Sequence, residues 1–334
     1  MNTSSPNLWQ LAWRRLCTDR IGVLSLAIVV FYLLIVIASA TGLIASNWDK
    51  EIAINYAAPE FISEQKALVY VDKDKEAIPE NPRDPLKDII KKLNAELSAE
   101  KIVVETKKRT TLLFGADKWG RDIIQKTIKG AQTSITVGLT AALLATFLGT
   151  IFGAFSGYFG GWVDDTFNWF YSIFTSIPYL LLILSVAAVL QQKGVTTIIL
   201  ILALTGWTST FRLIRAEYLK HKEREYVLAA EAIGASHYRK MFAHIFPNVS
   251  HVALVQTSIL VVGFIKSEVI LSFLGFGVPV GVVSWGSMLN EAQNELILGR
   301  WWQLVAATVA MAVLVTAFSL FTDALRDALD PKLN

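Results

Sequence analysis

Six long apolar stretches constrain this chain more than any other feature. A helix crossing the hydrocarbon core of a bilayer needs roughly 20 predominantly apolar residues at 1.5 Å each. The sequence meets that length, or nearly so, at Ile21 to Ile44, Thr133 to Tyr158, Thr166 to Leu190, Val195 to Phe211, Val252 to Phe273 and Trp301 to Phe321. With 53% hydrophobic and only 18% charged residues, the chain is too apolar for an ordinary soluble domain. The expected fold is therefore all-α and polytopic, with six transmembrane helices. A formal charge of +3, spread along the chain, gives no reason to expect nucleic acid as a partner. Cys17 is the one cysteine, which excludes an internal disulfide and a thiolate metal cluster.

The first apolar run follows Arg14, Arg15 and Arg20 and is too long for a signal peptide, so it reads as a retained first helix. Gly149, Gly153 and Gly157 recur every fourth residue in the second span, a spacing that lets a neighbouring helix approach closely. Pro178 lies within the third, where membrane helices tolerate proline.

Lysine and arginine in short loops and near span ends set orientation. They cluster before span one, after span four (Arg212, Arg215, Lys220, Lys222, Arg224, Arg239, Lys240) and in the tail (Arg326, Lys332), all on one side of a six-span chain. That side is expected to be cytoplasmic, with both termini there. Asp164 and Asp165 fall in a short loop on the same side and Lys193 in one on the other, a weaker match that the rule tolerates for acidic residues.

The chain divides accordingly. Residues 1–20 form an N-terminal segment in which Leu8, Leu11, Ala12 and Leu16 share a helical face beside Trp9 and Trp13, which suits an interfacial helix. Residues 21–45 are the first span and 46–130 an external insertion. Within the insertion, Asp84-Pro85 precedes a helical pattern over Leu86, Ile89, Ile90, Leu93 and Leu97, flanked by short strands at Ala67–Val71 and Ile102–Glu105, a small α/β unit. Residues 131–323 form the transmembrane core, including a polar loop at 212–248, and 324–334 a cytoplasmic tail.

No catalytic or metal-binding constellation is expected. His237, His244 and His251 are seven residues apart, roughly 10 Å of helical rise, too far to share one ion. Pro247 is expected to interrupt the helix between the last two. The sequence has no GxxxxGK[ST] phosphate loop, so it should not hydrolyse nucleotide itself. Lys266 and Glu268 are the clearest ionisable residues at membrane depth, where charges are costly and face a bundle interior or a wet cavity. Two residues apart on a helix, they point in different directions. A structural pair with another helix and a place on a transport path are both open to them.

Between spans four and five lies EYVLAAEAIGASHYRKMFAHIFPN, from Glu225 to Asn248. It reads as helix, turn and helix, with small Ala229, Ala230 and Ala232, a permissive joint at Gly234, and Pro247 closing it before the next span. A short helix held between two spans can dock into a groove of another protein. An ordinary amphipathic interfacial loop has the same composition.

The stretch resembles the EAA loop in permease subunits of bacterial ABC importers. Ala229, Ala230 and Gly234 match at their spacing, Ile245 to Asn248 stands for the closing motif, and Leu228 takes the place of the signature glutamate, with Glu225, Glu231 and Ala235 nearby. LLFGADKWGRDII (Leu112 to Ile124) resembles the LGTDxxGRD element of the C-type permease of dipeptide, oligopeptide and nickel importers. It retains Gly115, Asp117, Gly120, Arg121 and Asp122, with Ala116 in place of threonine. GYFGGWVDD (Gly157 to Asp165), SEVILSFLGFG (Ser267 to Gly277), SWGSML (Ser284 to Leu289) and LRDALDP (Leu325 to Pro331) are similar to the same group.

The resemblance implies a non-catalytic subunit of the bacterial inner membrane. It would form half of the pathway for peptides or a related small solute, beside a second permease subunit. Two cytoplasmic ATP-binding subunits, carrying ATP and Mg, would dock on the loop, and an external substrate-binding protein would deliver the cargo. On that reading Glu225, Leu228, Ala229, Ala230, Glu231, Gly234, Ala235 and Pro247 couple to the ATPase. Gly115, Asp117, Gly120, Arg121 and Asp122 order the external entrance, and Lys266 and Glu268 are pathway or gating residues. The alternative is a self-sufficient secondary transporter or channel, which would favour inverted repeats or a filter sequence, and neither is evident.

Overall fold

The computed structural model describes residues 8–62 and 108–329. The expected helix at 86–97 and strands at 67–71 and 102–105 lie outside them. The chain divides into two compact units, Lys50–Asp122 and the remainder.

The larger unit is helical. After α1 (Leu8–Thr18), α2 (Arg20–Ala40) starts at Asp19, whose carboxylate accepts from Ile21 N at 3.0 Å as a helix N-cap. α3 (Ile123–Phe159) is followed by α4 (Gly161–Thr175), α5 (Tyr179–Leu190), α6 (Val195–Gly206) and α7 (Thr208–His221). A short α8 (Glu225–Ala232) and a π-helical segment (Arg239–Ile245) lead into α9 (Phe246–Phe273), and α10 (Trp285–Ile297) and α11 (Trp302–Leu329) complete the order. Five helical stretches among the described residues are long and apolar enough to cross a membrane, six if the bent pair α4–α5 is one span.

The expected spans are met with instructive differences. α3 begins at Ile123, so residues 123–130, assigned above to the insertion, are its first two turns; Lys126, Thr127 and Lys129 hid that start from a hydropathy reading. Likewise the fourth span continues to His221 and α11 to Leu329, so the polar residues at 212–221 and 324–329 are helical. The third is not straight: α4 and α5 meet at 86°. Pro178 explains the break, because it cannot donate to the carbonyl four residues back and its ring collides with that turn.

α3 is the central strut, packed against α2, α6, α7, α9 and α11. Its glycines make the closest approach. A Cβ at Gly149 would stand 2.6 Å from Trp207 O, one at Gly153 2.8 Å from Phe211 O, and one at Gly157 2.5 Å from Arg215 O, all on α7 or the residue just before it. Removing three side chains thus lets two backbones touch, as the fourfold spacing predicts. The main core gathers Val137, Ala141, Leu202, Ile265 and Trp285, all buried. The expected N-terminal helix is present, and its Leu16 packs with Ala328 and Leu329 at the end of α11.

The smaller unit contains β1 (Ala53–Pro59) and β2 (Arg109–Leu112), paired in parallel with an irregularity between Ala53 and Ala58. Tyr56 at φ 57° sits inside that irregularity. Ala53, Ala57, Leu112 and Ala116 form its small core.

Replacing Gly153 by valine should drive a side chain into Phe211 O and cost about 1–3 kcal/mol of packing. A fall in the thermal midpoint of the detergent-purified protein is the expected result, and an unchanged midpoint would contradict the close contact.

Candidate functional site

The polar loop after α7 is built around a helix end. In α8 the N–H of Gly234 donates to Glu231 O at 2.8 Å and that of Ala235 to Ala230 O at 3.0 Å, the paired bonds of a Schellman motif. The motif needs a left-handed residue at Gly234, whose φ is +83°. Nothing lies within 4 Å of a Cβ there, so the constraint is backbone conformation rather than space.

α8 buries one side and presents the other. Val227 packs into a cluster with Ala154 of α3, Ile214 and Tyr218 of α7, and Met241, Ile245 and Val249, and Ala230, one turn on, is also buried. Leu228 is 52% exposed and Ile233 86%, and Glu225, Ala229, Glu231 and Ala232 are exposed beside them. The result is a smooth apolar face edged by carboxylates. Three polar contacts hold the loop from behind. His221 Nδ1 lies 2.8 Å from Tyr226 OH, Lys240 Nζ pairs with Glu231 at 3.3 Å, and Tyr218 OH donates to Met241 O at 3.2 Å. Burial raises the Tyr226 phenol above its ordinary range, so it remains a hydroxyl at neutral pH.

Pro247 does not close the loop as expected. It sits in the first turn of α9, and the helix runs through it from Arg239 to Phe273. A first-turn proline sacrifices no intrahelical donor that matters, and the preceding π-helical segment, in which Phe246 N reaches back to Met241 O, widens the turn on which its ring rests.

The LFGADKWGRD element forms one tight turn. Asp117 is fully buried and its Oδ1 accepts from Trp119 N at 2.9 Å and Arg121 N at 3.0 Å. Gly115 and Gly120 adopt φ of +82° and +79°. Gly120 O receives Ile52 N at 3.1 Å and Ala53 N at 3.0 Å, which ties the turn to β1. Ala116 bridges to Asp122 across its base. The motif's residues are brought together, and Asp117 organises their backbone.

Lys266 and Glu268 diverge. Lys266 is exposed on the outside of α9. Glu268 is fully buried. Its oxygens accept from Ser134 Oγ at 2.6 Å and Ser272 Oγ at 2.7 Å, and Ser134 Oγ in turn receives Trp285 N at 3.2 Å. A carboxylate is thereby linked to the N-terminus of α10, where the helix dipole favours negative charge. Ser284 and Ser287 close that helix with a capping box.

Two polar groupings were missed in the sequence. Lys126, 1% exposed, pairs with Glu291 at 2.6 Å and donates to Gln303 Oε1 at 3.0 Å, joining α3, α10 and α11. Arg215 donates from Nε and Nη2 to the two oxygens of Asp164, both at 2.6 Å. Hydropathy treats each of these charges as span flank; only their opposite signs on facing helices signal a pair.

A family model described as binding-protein-dependent transport system inner membrane component matches residues 149–334, and one for the N-terminal TM domain of oligopeptide transport permease C matches residues 7–59. The dipeptide transport system permease protein DppC of Bacillus subtilis is 37% identical over 220 residues, covering 66% of this chain and 68% of that one. The oligopeptide transport system permease protein OppC of the same organism is 39% identical over 220 residues, 66% and 72% of the two chains. DppC of Lactococcus lactis is 29% identical across 98% of this chain and 91% of its own. In three dimensions the chain is similar to one from the MetNI methionine ABC transporter in inward-facing conformations. The TM-score is 0.50 at 15% identity, over 62% of this chain and 98% of that one, a likeness of fold.

Asp117→Ala should remove two backbone hydrogen bonds from a buried turn, at about 1–3 kcal/mol. Faster limited proteolysis within residues 50–122 of the intact protein is the expected readout, and parental resistance would show that the turn holds without the carboxylate.

Proposed function

This chain belongs to the family of binding-protein-dependent transport system inner membrane components, and from that premise we propose how it works. It is the permease subunit of an ATP-driven importer, supplying half of a pathway for peptides, the cargo class in the names of its dipeptide and oligopeptide relatives. A second permease subunit completes the pathway, two ATP-binding subunits hydrolyse ATP with Mg, and an external substrate-binding protein presents the cargo. This chain contributes no catalytic group.

One observation carries the mechanism: α8 and its C-cap expose Leu228, Ala229 and Ile233 while Val227 anchors the helix to α3 and α7 and Ala230 is buried. An apolar helix face on a rigid base suits a groove in a partner, and it transmits displacement to the spans on either side instead of absorbing it. The cationic clusters at 212–240 and at both termini orient that face, and the termini, toward the cytoplasm. Residues 50–122 then lie outside. Lys266, pointing away from the chain's own bundle, faces the pathway or the second permease, whereas Glu268 acts within the bundle as the support of α10.

Gly234→Val tests the reading. A β-branched residue in the left-handed region costs roughly 1–2 kcal/mol and should distort the docking face, so that ATP hydrolysis persists in the complex while uptake falls. Unchanged coupling would reject the assigned role. Tagged chain purified from its host in mild detergent should carry a second permease and ATPases, identified by mass spectrometry. A chain that purifies alone and transports without ATP would replace the importer with a secondary transporter.

A further inference from the structure

α4 is held to the bundle by two kinds of contact, and none of its residues is buried. Along its length, Phe167 and Tyr171 pack against Phe211, and Phe170 and Phe174 against Trp207, with ring centroids between 5.6 and 6.3 Å. Offset and edge arrangements of aromatic rings are close in energy, so such contacts permit sliding. The second contact is different. In the first turn, the Asp164 carboxylate takes both forks of Arg215 at 2.6 Å, and it also accepts from Ser156 of α3 and from Asn168 Nδ2 at 2.8 Å. A bidentate guanidinium pair fixes rotation as well as distance.

Arg215 stands where motion of the loop must pass. Its backbone carbonyl faces Gly157 of α3, and one and a half turns later α7 reaches His221, whose ring contacts Tyr226 of α8 at 2.8 Å. The close glycine packing makes α3 follow α7. α4 follows α3 across Gly160 and stacks Phe167 on Phe152 of α3, but among the described residues no close glycine contact of this kind joins it to α7, and it leads through the Pro178 break into α5. Resting on the reading of α8 as the coupling helix, we propose that the Asp164–Arg215 pair is the positioning contact that makes α4, and with it the bent α4–α5 pair, follow α7 when the coupling helix moves. Neither residue touches cargo in this role. Each sets the register of one helix against another, and the aromatic contacts alone supply adhesion without register.

The test uses the assembled importer in nanodiscs and proteoliposomes, in a Cys17→Ser background. Spin labels are placed at Trp169→Cys on α4, an exposed position, and Lys220→Cys on α7. In the parent, the label distance should be narrow and the same without nucleotide and in a vanadate-trapped state. In Asp164→Asn it should broaden or change between the two states, and uptake of a radiolabelled dipeptide per ATP hydrolysed should fall about tenfold, within the range of coupling effects. Arg215→Lys, which keeps the charge and loses the fork, reads the same two quantities if Asp164→Asn does not assemble. Assembled variants with the parental distance and the parental uptake per ATP would overturn the proposal. A parent complex that transports without ATP would instead overturn the functional reading, and the proposal with it.

Discussion

Contact between the backbones of α3 and α7 underlies the end of the bundle that carries the polar loop. At Gly149, Gly153 and Gly157 there is no side chain to compress, so the distance between the two helices is set by main-chain atoms. In a bilayer, where lipid tails are as apolar as leucine, such packing replaces the hydrophobic effect as a source of association between helices. α7 is thereby a fixed base, and the cluster of Ile214, Tyr218, Val227 and Met241 carries that rigidity into the loop beyond it. A short helix of eight residues would be marginal alone; here its order is inherited.

The polar groups of the helical unit follow a common pattern. Lys126 with Glu291 and Gln303, Asp164 with Arg215, and Glu268 with Ser134 and Ser272 include bonds between helices far apart in sequence. Lys126 and the Asp164–Arg215 pair are satisfied by hydrogen bonds as well as by opposite charge, and the Glu268 carboxyl group by hydroxyls alone. That is the condition under which a charge tolerates low dielectric. Directional bonds of this kind specify which helices meet and in what rotation, a choice that apolar side chains leave degenerate.

Hydropathy revealed the spans because backbone groups in lipid must be paired within a helix, which forces length and apolarity into the sequence. It failed at the helix ends, where polar residues such as Lys126 and Arg215 belong to spans yet look like flanks. The loop around Gly234 was legible because only a left-handed joint explains a glycine after an alanine-rich turn. The helical path through Pro247 was not, since the π-helical turn before it, in which Phe246 N reaches back to Met241 O, has no mark in the sequence. Glu268 was recognised as costly, with a partner on another helix and a place on a pathway both open to it; its partners are serines, which carry no charge signal. The LFGADKWGRD turn is readable as a motif, whereas its hydrogen-bonded partner Ala53 lies more than 60 residues away and has no sequence mark.

The bend at Pro178 bears on where this chain meets solvent. A proline at that position leaves the carbonyl of Phe174 without its helical donor, and the change of direction there is 86°. Ser176 offers its hydroxyl to Ile173 O at 2.8 Å, which compensates one turn residue and not the whole interruption. Hydrocarbon cannot solvate such a break; protein or water can. The elbow between α4 and α5 is therefore a depth gauge. Wherever it comes to rest in the assembled machine, wetted cavity or protein wall must reach that level, and the greasy interior of the membrane must stop short of it.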